Sequence, residues 1–169
     1  MLFRSHAERL GATAARAELE HAYRDTHPSM RALIGMMDLR WRRSIGDRAP
    51  VRHWHQGRIV LLGDAAHAPL QSLAQGAGMA IEDGLCLAEA IHAADGDYRA
   101  AFRRFEAARL LRTARVQLES RSLWDFYHLD EGIARDVRNA TVADWDEAHM
   151  FDCLAWLYDG FAVPGVPGH

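Results

Sequence analysis

The sequence predicts a mostly helical fold with a few β-strands, and two observations support this prediction. Most segments combine strong helix formers with apolar residues at helical spacing, whereas only two short segments have the pattern of strands. The last third of the chain holds successive helical patterns with no strand pattern between them. At 169 residues, of which 49% are hydrophobic and 25% charged, the chain is long enough to bury a core.

The first part of the chain is predicted to form two helices and a strand. Residues Ala12–Tyr23 are rich in Ala, Glu, Arg and Leu, which favour a helix. Pro28 is suited to the first turn of a second, short helix that runs to about Ile34 and is followed by Gly35. In Leu39–Ile45, apolar residues alternate imperfectly with arginines, which indicates a strand with one solvated face.

The middle part is predicted to be a strand, a loop and a helix. Arg58–Leu62 is a run of apolar and β-branched residues between glycines, which indicates a strand buried on both faces inside a sheet. Ala65–Ala74 is interpreted as a loop, and a helix follows over Gln75–His92. The apolar stripe of this helix consists of Ala77, Ile81, Leu85, Ala88 and Ile91.

The remainder is predicted to be helical, with a long arginine-rich helix over Tyr98–His128 and two shorter ones over Asp130–Val142 and Asp144–Leu157. The apolar stripe of the long helix consists of Ala101, Phe105, Ala108, Leu111, Ala114 and Leu118. Because two short strands cannot form a stable sheet, the pattern predicts a piece of a larger fold.

Composition excludes several function classes. All 20 basic residues are arginines, so mechanisms that need a Schiff-base lysine or a P-loop lysine are excluded. The net charge of −3 disfavours a nucleic-acid partner. Two cysteines form no disulfide framework, no signal-peptide pattern opens the chain, and no apolar run approaches the roughly 20 residues of a membrane span. We therefore expect a cytoplasmic protein that binds small molecules and no membrane.

A carboxylate and a helix N-terminus follow the strand predicted at 58–62. Gly63-Asp64 ends the strand, and Gly76, Ala77 and Gly78 open the next helix, at the sheet end where open α/β folds bind ligands. Asp64 can accept hydrogen bonds from sugar-like hydroxyls. The helix tip suits an anion or a carbonyl that gains negative charge, and its glycines allow a flat ligand to approach.

These motifs, in this order, resemble the second flavin-binding segment of the class A flavoprotein aromatic hydroxylases, which share the para-hydroxybenzoate hydroxylase fold. The matching residues are Asp47-Arg48-x-Pro50, Trp54, Gly57-Arg58, Leu62-Gly63-Asp64-Ala65-Ala66-His67, Gln75-Gly76-Ala77-Gly78 and Ile81-Glu82-Asp83. Within that family the chain is most similar to the 3-hydroxybenzoate 6-hydroxylase and salicylate hydroxylase branch, through residues 70–77 and 155–158. The resemblance covers only the C-terminal portion of the family's glutathione-reductase-like α/β FAD-binding fold.

The resemblance implies a division into three parts. Residues 1–50 would be a remnant of the substrate domain, 51–95 the second FAD-binding segment, and 96–169 a C-terminal helical region. It also implies that Asp64 of the Gly63-Asp64 pair binds the ribityl chain of FAD. The amides of Gly76, Ala77 and Gly78 would lie against the pyrimidine edge of the isoalloxazine, where reduction places negative charge. Gln71 is the candidate catalytic residue, through a hydrogen bond to the substrate or to the oxygenated flavin.

The implied activity is an FAD-dependent monooxygenase that uses NAD(P)H and O2 to hydroxylate a phenolic acid such as hydroxybenzoate or salicylate. The sequence lacks the Gly-x-Gly-x-x-Gly turn that holds the pyrophosphate, since Ile81 stands where Gly76-Ala77-Gly78 would need the third glycine. The chain therefore carries half a cofactor site, and by itself we expect it to be inactive. A homodimer or a separate N-terminal half are its candidate partners.

The same residues allow other interpretations. Asp64 could simply cap a helix or turn, and His67 is interpreted as a structural hydrogen-bonding residue. His53 and His55 could be drawn together with His67 as a metal site, but the sequence does not identify a third ligand for the His-x-His pair, so no metal site is predicted. The acidic residues at 144–147 are explained by helix capping. Two alternative functions are a truncated, non-catalytic helical interaction or regulatory module that retains the motif, and a metal-dependent hydrolase.

Overall fold

The computed structural model describes residues 12–39 and 45–158. The helices are α1 (Ala12–Ala22), α2 (Pro28–Met36), α3 (Asp64–His67), α4 (Gly76–Ala93), α5 (Tyr98–Tyr127), α6 (Ile133–Ala143) and α7 (Glu147–Tyr158), with a short 3-10 helix at Gln71–Leu73. The strands are β1 (His55–Gln56) and β2 (Ile59–Val60). The predicted helix-rich fold is confirmed, and in the described residues no helix is long and apolar enough to span a membrane.

The chain divides into two compact units, Met1–Gly46 and Asp47–His169. In the first unit, α2 begins with Pro28 and runs two residues beyond the predicted end. Arg16 on α1 donates to the carbonyls of Ile34 and Met37, at 3.4 and 3.0 Å, so its guanidinium satisfies acceptors at the C-terminal end of α2. Of the strand predicted at 39–45, residues 40–44 lie outside the described residues.

The second unit is built on α4 and α5, which pack along each other. The main core lies between these helices and the β1–β2 hairpin, and it comprises Trp54, Ala66, Cys86, Ala90, Ala101, Phe102 and Phe105. A smaller cluster of Met79, Val116 and Leu157 joins the start of α4 to α5 and α7. The start of α4 is therefore fixed by contacts with both α5 and α7.

The strand predicted over Arg58–Leu62 is shorter and more exposed than expected. Only Ile59–Val60 is a strand, it pairs antiparallel with β1, and Ile59 is 71% exposed. Leu61 and Leu62 are exposed as well. The prediction of a doubly buried strand is wrong for this chain because β1 is the only strand that the described residues place beside β2.

Most of the apolar stripe predicted for α4 faces outward, with Ile81 75% and Leu85 50% exposed, whereas Ile91 packs against the main core. The buried residues of α4 are instead Met79, Asp83, Cys86 and Ala90. The stripe predicted for α5 is only partly buried, since Leu111 and Leu118 are exposed. The buried carboxylate of Asp83 on α4 and its partner Arg109 on α5 lie on the packed faces, and hydrophobic periodicity does not detect such a pair.

Candidate functional site

The structure places Asp64 beside the N-terminal tip of α4. Both line an open groove of about 570 Å³ formed by Leu62, Gly63, Asp64, Ala65, Gly76, Ala77 and Ala80. A Cβ atom built on Gly76 would lie 3.8 Å from Oδ1 of Asp64 and 3.9 Å from the ring of Pro69. The exposed carboxylate and the helix tip therefore face the same space, which a side chain at position 76 would begin to fill.

The tip of α4 presents backbone donors to this groove. The first intrahelical bond runs from the Met79 amide to the Gln75 carbonyl, at 2.9 Å, so the amides of Gly76, Ala77 and Gly78 have no acceptor within the helix. Among the described residues, no side chain caps this end. The unpaired amides and the helix dipole make the tip a site for negative charge.

Gly63 fixes the approach of the hairpin to α4. Its backbone angles are φ 53° and ψ −136°, a region that essentially only glycine adopts. A Cβ at this position would lie 3.1 Å from the Cβ of Ala80, closer than normal contact. The predicted pair of Gly63 and Asp64 is thus a tight turn that delivers Asp64 to the first position of α3, one residue after its N-cap.

Below the groove, the carboxylate of Asp83 on α4 is completely buried, and both of its oxygens have hydrogen-bond partners. Its Oδ2 accepts the Gly63 amide at 2.9 Å and lies 2.6 Å from Nε2 of His67. Its Oδ1 accepts Nε of Arg109 at 2.7 Å. Because an ionised carboxylate can only accept, Nε2 of His67 carries the proton in this pair. The arrangement agrees with the interpretation of His67 as a structural residue.

Arg109 and Arg112 of α5 extend this network along α4. The buried Arg109 also donates to Glu82 at 2.5 Å and to the Met79 carbonyl at 3.2 Å. Arg112 holds the same Glu82 through two bonds of 2.7 and 2.8 Å, and it reaches the Leu157 carbonyl of α7 at 3.1 Å. Such charge-assisted, bidentate contacts fix orientation as well as supplying energy.

The network determines the protonation of its carboxylates. Burial alone would raise the pKa of Asp83, but hydrogen bonds from the three donors outweigh burial and hold this pKa below its ordinary value. The pKa of Glu82 is lowered in the same way, since its two arginine partners overcome the effect of burial. The Glu82 hydrogen bond also raises the pKa of Arg112. Both carboxylates are therefore ionised at neutral pH.

The segment that carries Gln71 rests on α5. Ser72 Oγ donates to the Ser120 carbonyl at 2.6 Å, and Gln117 Nε2 donates to the Arg48 carbonyl at 2.7 Å. The Arg48 amide in turn donates to the carbonyl of Ala68 at 2.9 Å. Helix α5 thus supports both the 47–48 segment and the segment that leads to α4.

The structure brings together four of the six predicted site residues, Gly63, Asp64, Gly76 and Ala77, at one groove. Gly78 lies in the same first turn of α4, where an added Cβ would meet Oε1 of Gln75 at 3.3 Å. Gln71 is exposed in the short 3-10 helix and is not among the described residues that line the groove. The roles predicted for these residues stay predictions.

Sequence reasoning did not give Asp83, Arg109 and Arg112 a role, although Asp83 belongs to the matched motif. The available signal was a pair of acidic residues, Glu82 and Asp83, inside an apolar helix, followed by arginines spaced along the next one. Buried charges are rare unless they are paired, so this combination indicates an internal ion-pair network.

The histidines considered as metal ligands have other partners. His55 Nδ1 lies 3.0 Å from Oε2 of Glu106, and His53 Nδ1 lies 3.7 Å from Oε1 of the same carboxylate. His67 binds Asp83 instead. Across the described residues, no group of three potential ligands is arranged to hold a metal ion.

The groove fits the isoalloxazine and ribityl portions of a flavin by its chemistry. It offers a carboxylate for hydroxyl groups, unpaired amides for a carbonyl edge, and a glycine where a side chain would intrude. Among the described residues there is no glycine-rich turn after a parallel strand for a pyrophosphate. The carboxylate and the amides of the groove therefore match one half of a dinucleotide such as FAD.

Comparison with curated proteins identifies relatives that are longer than this chain. The 3-hydroxybenzoate 6-hydroxylase of Polaromonas naphthalenivorans (strain CJ2) is 38% identical over 152 residues, which cover 89% of this chain and 38% of that protein. The 3-amino-4-hydroxybenzoate 2-monooxygenase of Streptomyces cremeus is 36% identical over 151 residues, which cover 89% and 37%. The chain thus spans about two fifths of the length of these relatives.

A solved structure shows the same fold. Klebsiella pneumoniae HpxO, complexed with FAD and uric acid, superposes with a TM-score of 0.75 at 24% identity, covering 86% of this chain and 38% of that one. The FAD binding domain family matches residues 3–116. The resemblance to flavoprotein aromatic hydroxylases and the expected cofactor, FAD, are confirmed by these comparisons. The chain belongs to the FAD binding domain family.

Proposed function

We propose that this chain supplies the isoalloxazine-side half of the FAD site in a monooxygenase that hydroxylates a phenolic aromatic acid such as hydroxybenzoate or salicylate. NAD(P)H and O2 are the proposed co-substrates. The single observation that carries this proposal is the position of the Asp64 carboxylate beside the uncapped tip of α4. The substrate class is supported by the names of curated relatives, which include a 3-hydroxybenzoate 6-hydroxylase and a 3-amino-4-hydroxybenzoate 2-monooxygenase.

Each residue at the groove has a distinct proposed task. Asp64 accepts hydrogen bonds from the ribityl hydroxyls, and the amides of Gly76, Ala77 and Gly78 stabilise negative charge on the pyrimidine edge. Gly76 leaves room for the ring to approach the backbone. When bound, FAD supplies the redox chemistry that activates O2, and the protein supplies binding, orientation and electrostatics.

Gln71 is the proposed contact to the substrate. It is exposed, and it lies in the 3-10 helix that immediately precedes α4. A hydrogen bond from the neighbouring Ser72 to the Ser120 carbonyl of α5 holds this segment in place. A glutamine amide can both donate to and accept from a phenolic acid, so Gln71 would orient the ring.

The fold-level part of the proposal concerns the rest of the site. We propose that residues 51–95 form the second FAD-binding segment of a glutathione-reductase-like fold, with 1–50 and 96–169 as flanking parts. The exposed apolar side chains of Ile59, Ile81 and Leu85 support this division, because an interior strand and its helix normally have such residues covered. A polypeptide that carries the pyrophosphate-binding turn is the proposed partner.

Flavin titration of the purified chain tests the proposal. We expect riboflavin fluorescence to be quenched on binding. FAD should bind less than about 10-fold more tightly than riboflavin, because the sequence has no pyrophosphate-binding turn that would contact the additional half of FAD. Asp64→Ala is expected to weaken riboflavin binding. Asp125→Ala, which removes an exposed aspartate on α5, is the matched control and should leave riboflavin binding unchanged. A correctly folded chain that binds no riboflavin would contradict the proposal.

One observation favours a second candidate, a non-catalytic helical interaction module. Ile133 and Val137 on α6 are 80% and 60% exposed, and Phe151 on α7 is 68% exposed. Exposed apolar residues at helical spacing are typical of a docking face. A folded chain that binds no riboflavin but associates with another protein through α6 would favour this candidate.

A further inference from the structure

The two parts of the proposed flavin site, the Asp64 carboxylate and the amides at the tip of α4, come from different elements. Asp64 opens α3, whereas the unpaired amides open α4. A flavin can contact both only if the distance between them is fixed, since placement errors of an ångström weaken preorganised sites. The residue that fixes this distance must therefore touch both elements.

Asp83 meets that requirement. It lies on α4, seven residues after Gly76 and thus about two helical turns below the tip. Its Oδ2 accepts the amide of Gly63 and the Nε2 proton of His67, which are the residues that immediately precede and end α3. One carboxylate on α4 therefore holds both ends of the short segment that carries Asp64.

Arg109 fixes the orientation of this carboxylate from the other side. It binds Oδ1 of Asp83 at 2.7 Å and the Met79 carbonyl in the first turn of α4 at 3.2 Å. Both Asp83 and Arg109 are 0% exposed, so water does not compete for these bonds. With Oδ1 occupied, Oδ2 is directed at α3.

On the basis of the proposed function, we propose that Asp83 is a positioning residue that aligns Asp64 with the amide tip of α4 for flavin binding. Glu82, the adjacent residue, provides the comparison. It shares Arg109 and pairs with Arg112, but no bond of the described structure joins it to Gly63 or His67. Alignment of Asp64 with the tip of α4 therefore requires Asp83, which contacts the segment that carries Asp64, and does not require Glu82.

The variants Asp83→Asn and Glu82→Gln test this difference. Whichever way an asparagine amide turns, its NH2 group faces a donor, either Arg109 or the pair from Gly63 and His67. We expect Asp83→Asn to weaken riboflavin binding by roughly 10- to 100-fold, the loss typical when a residue that orients binding groups is replaced. The riboflavin affinity of Glu82→Gln should stay within about 2-fold of that of the unaltered chain. Equal riboflavin affinity of Asp83→Asn and the unaltered chain would overturn the proposal.

A second pair of variants covers the case in which Asp83→Asn does not fold. His67→Leu removes one donor to Oδ2, and His67→Gln retains an N–H donor of similar reach. We expect His67→Leu to lose riboflavin affinity and His67→Gln to restore most of it. If the two variants bind riboflavin equally, contact with Asp83 does not position the site.

Hydrogen exchange of the flavin-free chain gives a readout that does not depend on the proposed function. In Asp83→Asn we expect the amides of Gly63–His67 to exchange faster while α5 keeps its protection, and in Glu82→Gln we expect the Gly63–His67 amides to exchange as in the unaltered chain. If the unaltered chain binds no riboflavin, the proposed function fails, and exchange alone decides whether Asp83 aligns the two segments. Unchanged exchange at Gly63 in Asp83→Asn would refute that alignment.

Discussion

The backbone angles of Gly63 and its approach to Ala80 determine how much an added side chain would destabilise the protein. Gly63→Ala places a Cβ at φ 53° and ψ −136°, and such backbone strain costs about 1–3 kcal/mol. The new Cβ would also lie 3.1 Å from the Cβ of Ala80, and overpacking of this kind costs about a further 1–3 kcal/mol. We therefore expect the free energy of unfolding to fall by about 2–6 kcal/mol.

Urea unfolding followed by circular dichroism measures this loss. With an m-value of about 2 kcal/mol/M, the transition midpoint of Gly63→Ala should fall by roughly 1–3 M without a change in m. Gly57→Ala is the matched control, because Gly57 has φ 59° but no atom within 4 Å of an added Cβ. The control should show only the strain of the left-handed conformation, about 1–2 kcal/mol.

The double variant Gly63→Ala/Ala80→Gly separates contact from strain. Removing the Ala80 methyl should recover the overlap part of the loss, so the double-mutant cycle should show a favourable coupling of about 1 kcal/mol or more. Equal losses for Gly63→Ala and Gly57→Ala, together with zero coupling, would refute the close approach of the turn to α4.

Three further predictions concern pH, helix α4 and the groove. In the folded chain, the pKa values of Glu82 and Asp83 lie below their ordinary values of 4.5 and 3.8. The stability that these carboxylates contribute is therefore complete above the ordinary pKa values and is lost as the pH falls through the lowered ones. The melting temperature should accordingly fall between pH 7 and pH 3, and it should fall less in Glu82→Gln. Gly84→Ala, in the interior of α4 with nothing within 4 Å of the new Cβ, should raise the free energy of unfolding by about 0.5–1 kcal/mol, and a lower urea midpoint would contradict this. Gly76→Val should leave the free energy of unfolding within about 1 kcal/mol of the unaltered chain but weaken riboflavin binding, because the side chain enters the groove beside Asp64; unchanged quenching titrations would argue against a ring at this position.

Much of the secondary structure could be predicted from the sequence. Helices α1, α4 and α5 begin and end within one residue of their predicted bounds, because propensity, capping residues and glycine or proline breaks act locally. The groove residues Gly63, Asp64, Gly76 and Ala77 were also predicted, since the ordered motif holds them close in sequence. The loop predicted over Ala65–Ala74 was less accurate, because α3 and a 3-10 helix occupy part of it.

The packing faces of the helices could not be predicted in this way. Helix α4 has an apolar stripe, but most of that stripe is exposed, and the face that packs on α5 carries Asp83. Periodicity shows on which side of a helix the apolar residues lie, but it does not show which neighbouring helix or strand covers them. The exposure of Ile59 on β2 has the same origin, since the strand pattern predicts burial whether or not a neighbouring strand is present.

The sequence by itself determined the helices, the absence of lysine chemistry and the order of the flavin motif, because each depends on residue type and short-range spacing. Only the tertiary structure decided that Asp83 joins Gly63 and Arg109, which lie 20 and 26 residues away along the chain. Arg109 meets Asp83 only through the packing of α4 on α5, and the Gly63 amide meets it only because the turn before α3 approaches α4. A local pattern therefore predicts the elements of the site, whereas the contacts that hold those elements in register follow from the fold.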